Sequence, residues 1–223
     1  MVGKVIEKTA PAVQLAGPPA QTKGERTRSR ILDVAYDNIV HKGFAATSID
    51  ELVEAAGITK SGFFYHFKDK NDLARQLLER FLAEDNDILD TLEKRARALA
   101  DDPLQSFLVF LNLYAEMMDE MPELHPGCLV ATITYQEQMF DKVVREMNAE
   151  SVIALRLRFA GWLEEIVAKH PPRTPIDIEA LADNVTVIVE GAIIVSKALN
   201  DRGLMGRHMR LFRDHVKFVF GAA

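Results

Sequence analysis

The 223-residue chain has one cysteine, Cys128, so no disulfide can form within it, and a reducing compartment is expected. No uninterrupted apolar run approaches the roughly 20 residues that a membrane span needs. The first 22 residues lack an apolar stretch of signal-peptide length. The expectation is a cytoplasmic protein with no membrane partner. Glycines never gather as GxGxxG or as a phosphate-binding loop. No Cys/His pair repeats with zinc-ligand spacing, and His125 and Cys128 are an isolated neighbouring pair. No nucleophile–base set and no carboxylate pair flanked by His is apparent. These lacks speak against an enzyme, and neither a metal nor a cofactor is expected. Strand alternation and hairpin signals are missing too, which leaves an all-α fold.

What is present is ordinary for a globular chain: 48% hydrophobic and 27% charged residues, long enough to bury a real core. The net charge of −6 first argues against nucleic acid, but its distribution does not. Residues 21–80 carry ten Lys+Arg against nine Asp+Glu, whereas residues 81–223 carry 15 against 23. Within the first segment Lys23, Arg26, Arg28 and Arg30 form one basic cluster, and Lys60, Lys68 and Lys70 another. Local clusters, not total charge, make a phosphate-binding face. The early cluster reads equally as a minor-groove arm or as a solvated helix start.

Helical periodicity predicts about nine helices. Residues 1–22, with Pro11, Gly17, Pro18 and Pro19, read as a flexible tail. From Arg26 to His41 the set Ile31, Val34, Ala35 and Ile39 makes one apolar face, ended by Gly43 as a left-handed cap with Phe44 as its apolar partner. Ser48 and Glu51 form a capping box for a short second helix that Gly57 breaks. A third short helix runs from about Lys60 to Phe67, and Asp69 caps a fourth. Later helices are expected from Pro103, from Cys128 to about Phe140, from Asp141 to His170, from Asp177 to Asn200 and from Leu204 to Phe220. Three prolines between Pro171 and Pro175 separate the last two from the rest.

The informative stretch is Thr47 to Lys70, TSIDELVEAAGITKSGFFYHFKDK. Two short helices flank a glycine-containing turn, a helix-turn-helix arrangement. The second is thin at its start (Thr59, Lys60, Ser61, Gly62), so its N-terminus can approach base edges in a major groove. Lys60 can reach guanine O6/N7, Ser61 a base edge or phosphate, and Gly62 removes bulk. Tyr65, His66 and Lys70 can hold phosphates, and Thr47 and Ser48 open the preceding helix where another phosphate fits. His66 reads alternatively as a structural group that caps the helix end near Asp69.

At these residues the chain resembles the tetracycline-repressor (TetR) family of bacterial regulators. The resemblance rests on the helix from Arg26, Lys42-Gly43-Phe44, Thr47-Ser48, Ala56-Gly57-Ile58, Tyr65-His66-Phe67 and Lys68 to Leu73, and it covers about residues 25–75. It implies base contacts at Thr59, Lys60, Ser61 and Gly62, phosphate contacts at Thr47, Tyr65, His66 and Lys70, and core roles for Phe63 and Phe67. Phe64 departs from the tyrosine common there. It lacks a phenol and can instead pack on a thymine methyl or the sugar backbone. The implied architecture is a three-helix helix-turn-helix domain (23–72) followed by a larger helical effector-binding and dimerisation domain (73–223).

In that second part the element Pro126 to Ala131 also resembles one found in some members. Candidate pocket residues mix aromatic, Met and small polar groups: Phe107, Phe110, Tyr114, Met118, Cys128, Thr132, Tyr135 and Trp162, with Met117 and Met139 alongside. A Met/aromatic stripe at helical spacing is more often ordinary core than a pocket. Arg156 and Arg158 read as a solvated face or as partners of an anionic effector, and Asp85 and Asp87 read as solvated. The last two helices, one apolar over most of its circumference, are the expected homodimer interface, through Val185, Ile188, Val189, Ala192, Met209, Phe212 and Val216. The expected function is a repressor released from palindromic operator DNA by a small apolar or aromatic effector. An activator or partner-binding protein on the same fold, or a helical enzyme, is the competing reading.

Overall fold

The computed structural model describes residues 22–221, all of whose regular elements are helices. The tail expected over 1–22 lies outside the described residues except for Thr22, which belongs to the first helix. Its hydroxyl accepts from the Glu25 amide at 3.2 Å while the Glu25 carboxylate accepts from the Thr22 amide, a capping box. The resulting helix, α1 (Lys23–Lys42), makes the early basic cluster the first two turns of a helix rather than an extended arm. Its face of Ile31, Leu32, Ala35 and Ile39 is buried. Gly43 ends it with the expected positive φ, 88°, but with ψ 160°. The chain therefore leaves the helix extended rather than through a left-handed hook, a conformation that needs glycine for its φ alone.

Helices α2 (Ile49–Ala55) and α3 (Lys60–His66) follow, capped by Ser48 and Thr59, with Gly57 at φ 62° turning the chain between them. Asp69 accepts from the Asp72 amide at 2.8 Å and starts α4 (Lys70–Leu99), a 30-residue helix. Pro103 in the first turn and Asp102 as cap start α5 (Pro103–Asp119). The helix expected from Cys128 to Phe140 is shorter: α6 (Leu129–Tyr135) stops at Gln136, and a single 3₁₀ turn (Glu137–Met139) leads to α7 (Lys142–Lys169). The cause is tertiary, because the Gln136 amide oxygen accepts from the Ala45 backbone at 3.2 Å. After the proline-rich break come α8 (Ile178–Leu199), closed by Asn200 in the left-handed conformation, and α9 (Leu204–Phe220).

Two large hydrophobic cores hold these helices, with a smaller cluster of Ala192, Ile193, Leu204 and Met205 between α8 and α9. The first gathers Ile31, Leu52, Phe63 and Phe67 with Leu73 and Leu77 of α4, and also takes Leu129 and Ile133 from α6 and Phe140 and Val144 beyond it. The second gathers α5, α7, α8 and α9 around Phe107, Phe110, Phe159 and Trp162, with Leu89 and Leu92 from the far half of α4. Each fully buried Phe or Leu contributes about 1.5–3 kcal/mol by leaving water. Helix α4 thus has a long stake in both cores, and α7 reaches both as well, through Val144 in the first and Phe159 and Trp162 in the second.

Candidate functional site

The helix-turn-helix is pinned from inside and open outside. Phe63 and Phe67 are buried and lie 5.4 Å apart, centroid to centroid, which fixes the roll of α3 against the first core. The opposite side of α3 is solvent-facing: Lys60 and Ser61 are exposed, Tyr65 is 84% exposed and Phe64 47%. The Thr59 hydroxyl accepts from the Gly62 amide at 3.1 Å and meets the Ser61 hydroxyl at 3.0 Å. A Cβ at Gly62 would crowd that cap at 3.3 Å. Lys60 crosses to α2 and pairs with Asp50 at 2.9 Å. Ser48 is likewise exposed, with its hydroxyl exchanged with Glu51.

Three expected phosphate ligands are placed differently. Thr47 is wholly buried, and its hydroxyl donates to the Gly43 carbonyl at 3.0 Å, so it has no surface to offer. Lys70 turns inward: its ammonium donates to the Phe44 carbonyl and lies 4.1 Å from the centre of the Phe44 ring. Burial lowers its pKa from the ordinary lysine value. Both residues hold the corner between α1 and α2 rather than facing outward. His66 is half-buried, and desolvation together with nearby Arg28 lowers its pKa from the ordinary histidine value, which favours the neutral ring. Asp69 is occupied as the cap of α4 and not by His66.

A cavity of about 880 Å³ lies between the two cores. Of the expected pocket residues, Tyr114, Met118 and Cys128 line it, as does Met117. Phe107, Phe110 and Trp162 do not. They are buried in the second core, where Trp162 meets both phenylalanines at 5.2 and 5.3 Å and donates its indole N–H to the Pro103 carbonyl. Thr132 spends its hydroxyl on the Cys128 carbonyl at 2.9 Å, inside its own helix, and is not in the wall. Tyr135 is exposed, as is Met139. Arg156 pairs with Asp183 at 2.7 Å away from the cavity, while Arg158 lines it and is held by Asp90 and Glu93.

The sequence reading does not single out the buried acidic residues of the cavity as part of its wall. Asp85 is not solvated: it lines the cavity, and burial raises its carboxyl pKa against a smaller opposing effect of Arg158. Glu190 shares that fate and accepts from the Cys128 thiol. Burial and that carboxylate push the thiol up to about 12, which makes Cys128 an inert group at neutral pH. The spacing Phe81, Asp85, Leu89 marks one helix face and was the available signal for Asp85.

Comparison with known proteins bears first on the open helix. Residues 31–77 match the family described as "Bacterial regulatory proteins, tetR family". That stretch runs from the middle of α1 through α2 and α3 into the first two turns of α4. It is 39% identical over 82 residues to the HTH-type transcriptional regulator AcrR of Shigella flexneri, an alignment spanning 37% of each chain. It is 25% identical over 170 residues to the transcriptional regulator AcuR of Cereibacter sphaeroides, spanning 75% of this chain and 74% of that one. Its fold matches a TetR-family regulator from Agrobacterium tumefaciens with a TM-score of 0.73 at 20% identity, over 86% of this chain and 98% of that chain. A second, from Cytophaga hutchinsonii, gives 0.72 at 19%, over 92% and 100%.

The last two helices carry an apolar surface in an unexpected place. Val185, Ala192, Met209, Phe212 and Val216 are buried within the chain itself, and Ile188 and Val189 are partly buried against its second core. The stripe expected to meet a partner instead holds α9 onto α5 and α8 onto α7 and α9. The apolar groups left in solvent are Val187 (62% exposed), Ile194, Val195 and Leu199 on α8, with Gly191 among them, and Leu211 and Phe218 on α9.

Proposed function

We propose that this protein is a homodimeric transcriptional repressor that binds a near-palindromic operator through α3 and lets go when a small molecule fills the 880 Å³ cavity. The observation that carries the reading is α3 itself. Phe63 and Phe67 lock one side into the core while Lys60, Ser61, Phe64 and Tyr65 stand free on the other. In this reading the N-terminal turn of α3 (Thr59, Lys60, Ser61, Gly62) meets base edges, and Ser48, Tyr65 and the neutral His66 meet the backbone.

Dimerisation runs through the exposed apolar groups of α8 and α9, as a two-fold pairing that places Val187 and Leu211 against their counterparts. Two α3 helices must then stand about 34–36 Å apart to enter successive major grooves. The DNA-binding unit spans 23–72 and the effector and dimer unit 73–223, the latter starting within α4. Because α4 packs Leu73 and Leu77 into the first core and presents Asp85 and Leu89 at the cavity, a ligand that prefers a shifted α4 changes that spacing. Operator affinity falls by the ligand's difference in affinity for the two arrangements. A cytoplasmic location fits a chain among whose described residues no helix is long and apolar enough to cross a membrane.

The test is a gel-shift of the purified protein with DNA flanking its own gene, at fixed salt and with excess non-specific competitor. A competitor-resistant shift mapping to an inverted repeat supports the reading. Its absence there and in a selection from random DNA overturns it.

A further inference from the structure

The cavity wall is strongly one-signed. Six carboxylates line it against two guanidinium groups, and both guanidiniums are already engaged. Arg80 is held by Asp33 at 2.7 Å and lies 3.6 Å from Glu84, and Arg158 is held by Asp90 and Glu93. His125, also in the wall, is kept neutral by burial and by Lys197. What remains without an ion pair is Asp85 from α4, which feels Arg158 only weakly, and Glu190 from α8, both sheltered from bulk water, with Asp37 and Glu150 at the exposed margin.

A second observation points the same way. Tyr114 of α5 is more than nine-tenths buried and lines the cavity, yet its hydroxyl has no hydrogen-bond partner among the described residues. A buried phenol normally finds one, so this group is open for a ligand. Tyr36 of α1, Phe81 of α4 and Phe159 of α7 add aromatic surface, and Met117, Met118, Met121 and Met147 add adaptable apolar surface. An enclosed anionic wall with aromatic faces favours a positive guest twice, through charge and through the ring quadrupoles.

We infer that the effector of this cavity is an apolar organic cation, a lipophilic amine or its quaternary equivalent, held between Asp85 and Glu190 beside the free Tyr114 hydroxyl. This rests on the ligand-responsive reading above and narrows it to one chemical class. Entry of the cation supplies the missing counter-charge to α4 and α8 together, the two helices that join the cavity to the DNA-binding unit and to the exposed apolar face.

The test uses two probes of the same size and opposite charge, tetraphenylphosphonium and tetraphenylborate, titrated calorimetrically into the full-length protein without DNA. The phosphonium is expected to bind at least about ten-fold more tightly than the borate. The double variant Asp85→Asn/Glu190→Gln, isosteric and checked for an unchanged melting profile, is expected to lose that preference. Asp87→Asn, which removes the same kind of charge outside the cavity wall, is expected to keep it. Equal or tighter binding of the borate, no binding of either probe, or a preference that survives the double variant overturns the inference. Failure here, with operator binding intact and relieved by some other molecule, sinks the ligand class alone. Phosphonium binding without any operator sinks the repressor reading alone.

Discussion

The Lys70 ammonium lies over the Phe44 ring and donates to the Phe44 backbone carbonyl, tying the start of α4 to the corner that follows α1. Phe44 in turn packs on Phe140, with centroids 4.3 Å apart. Lys70 is therefore a fastening of the DNA-binding unit. Lys70→Ala is expected to cost about 1–2 kcal/mol of stability in urea unfolding. The salt dependence of DNA binding should keep its slope, whereas a lost phosphate contact would reduce it by about one.

Lys60 and Asp50 make an exposed ion pair, which is worth little and readily exchanged. Asp50→Asn is expected to tighten DNA binding modestly at low salt by freeing Lys60 and removing a negative charge beside it. Lys60→Ala is expected to cost about 1–3 kcal/mol at one base position and to relax preference there. Tyr65→Ala should weaken all sequences alike. Binding profiles over a library of operator variants separate these outcomes.

Glu51 accepts from both the backbone and the hydroxyl of Ser48 and pairs with Lys42, and these bonds, the backbone one first, hold its carboxyl near pKa 2, far below the usual 4.5. A depressed carboxylate stabilises the folded state fully above its unfolded pKa and loses that contribution as pH falls toward the folded one. The capping box of α2 should therefore weaken between about pH 4.5 and 2. Glu51→Gln, which removes this titration, should flatten that part of the stability–pH curve while lowering stability at pH 7. Urea midpoints across the range measure both.

Val187 and Leu211 stand in solvent, whereas Met209 is buried in its own subunit. Val187→Arg with Leu211→Glu is expected to yield a folded monomer by sedimentation. Met209→Ala is expected to cost about 2–5 kcal/mol of unfolding free energy while leaving the folded fraction dimeric.

Cys128, with its thiol pushed up to about 12 by burial and by Glu190, should resist iodoacetamide at pH 8 in the native protein and react once unfolded in urea. Rapid native labelling would contradict the burial described for α6.

The helix-turn-helix was legible in the sequence because its signals are local. Ser48 with Glu51, Thr59 and Asp69 announce helix starts within four residues, and Gly57 announces its turn. Lys70 was misread because its partner lies 26 residues away. The aromatic group of Phe107, Phe110 and Trp162 fits a pocket and a core equally well by spacing. Only the meeting of α5 with α7 decides between them. The apolar stripe of α8 and α9 reads as an interface by its pattern, but the strongest part of it, on α9, marks what the chain itself buries. Leu211 and Phe218, the residues left over, look unremarkable in one dimension.

The unbroken run of α4 from Lys70 to Leu99 makes it a shaft about 45 Å long at 1.5 Å per residue. A shaft transmits rotation as well as displacement. Each residue added or removed between Leu77 and Asp85 would turn the reading head by about 100° relative to the sensor. This stretch therefore has to hold its length as strictly as its composition. An exchange of sensors between such proteins works only where the splice preserves helical phase.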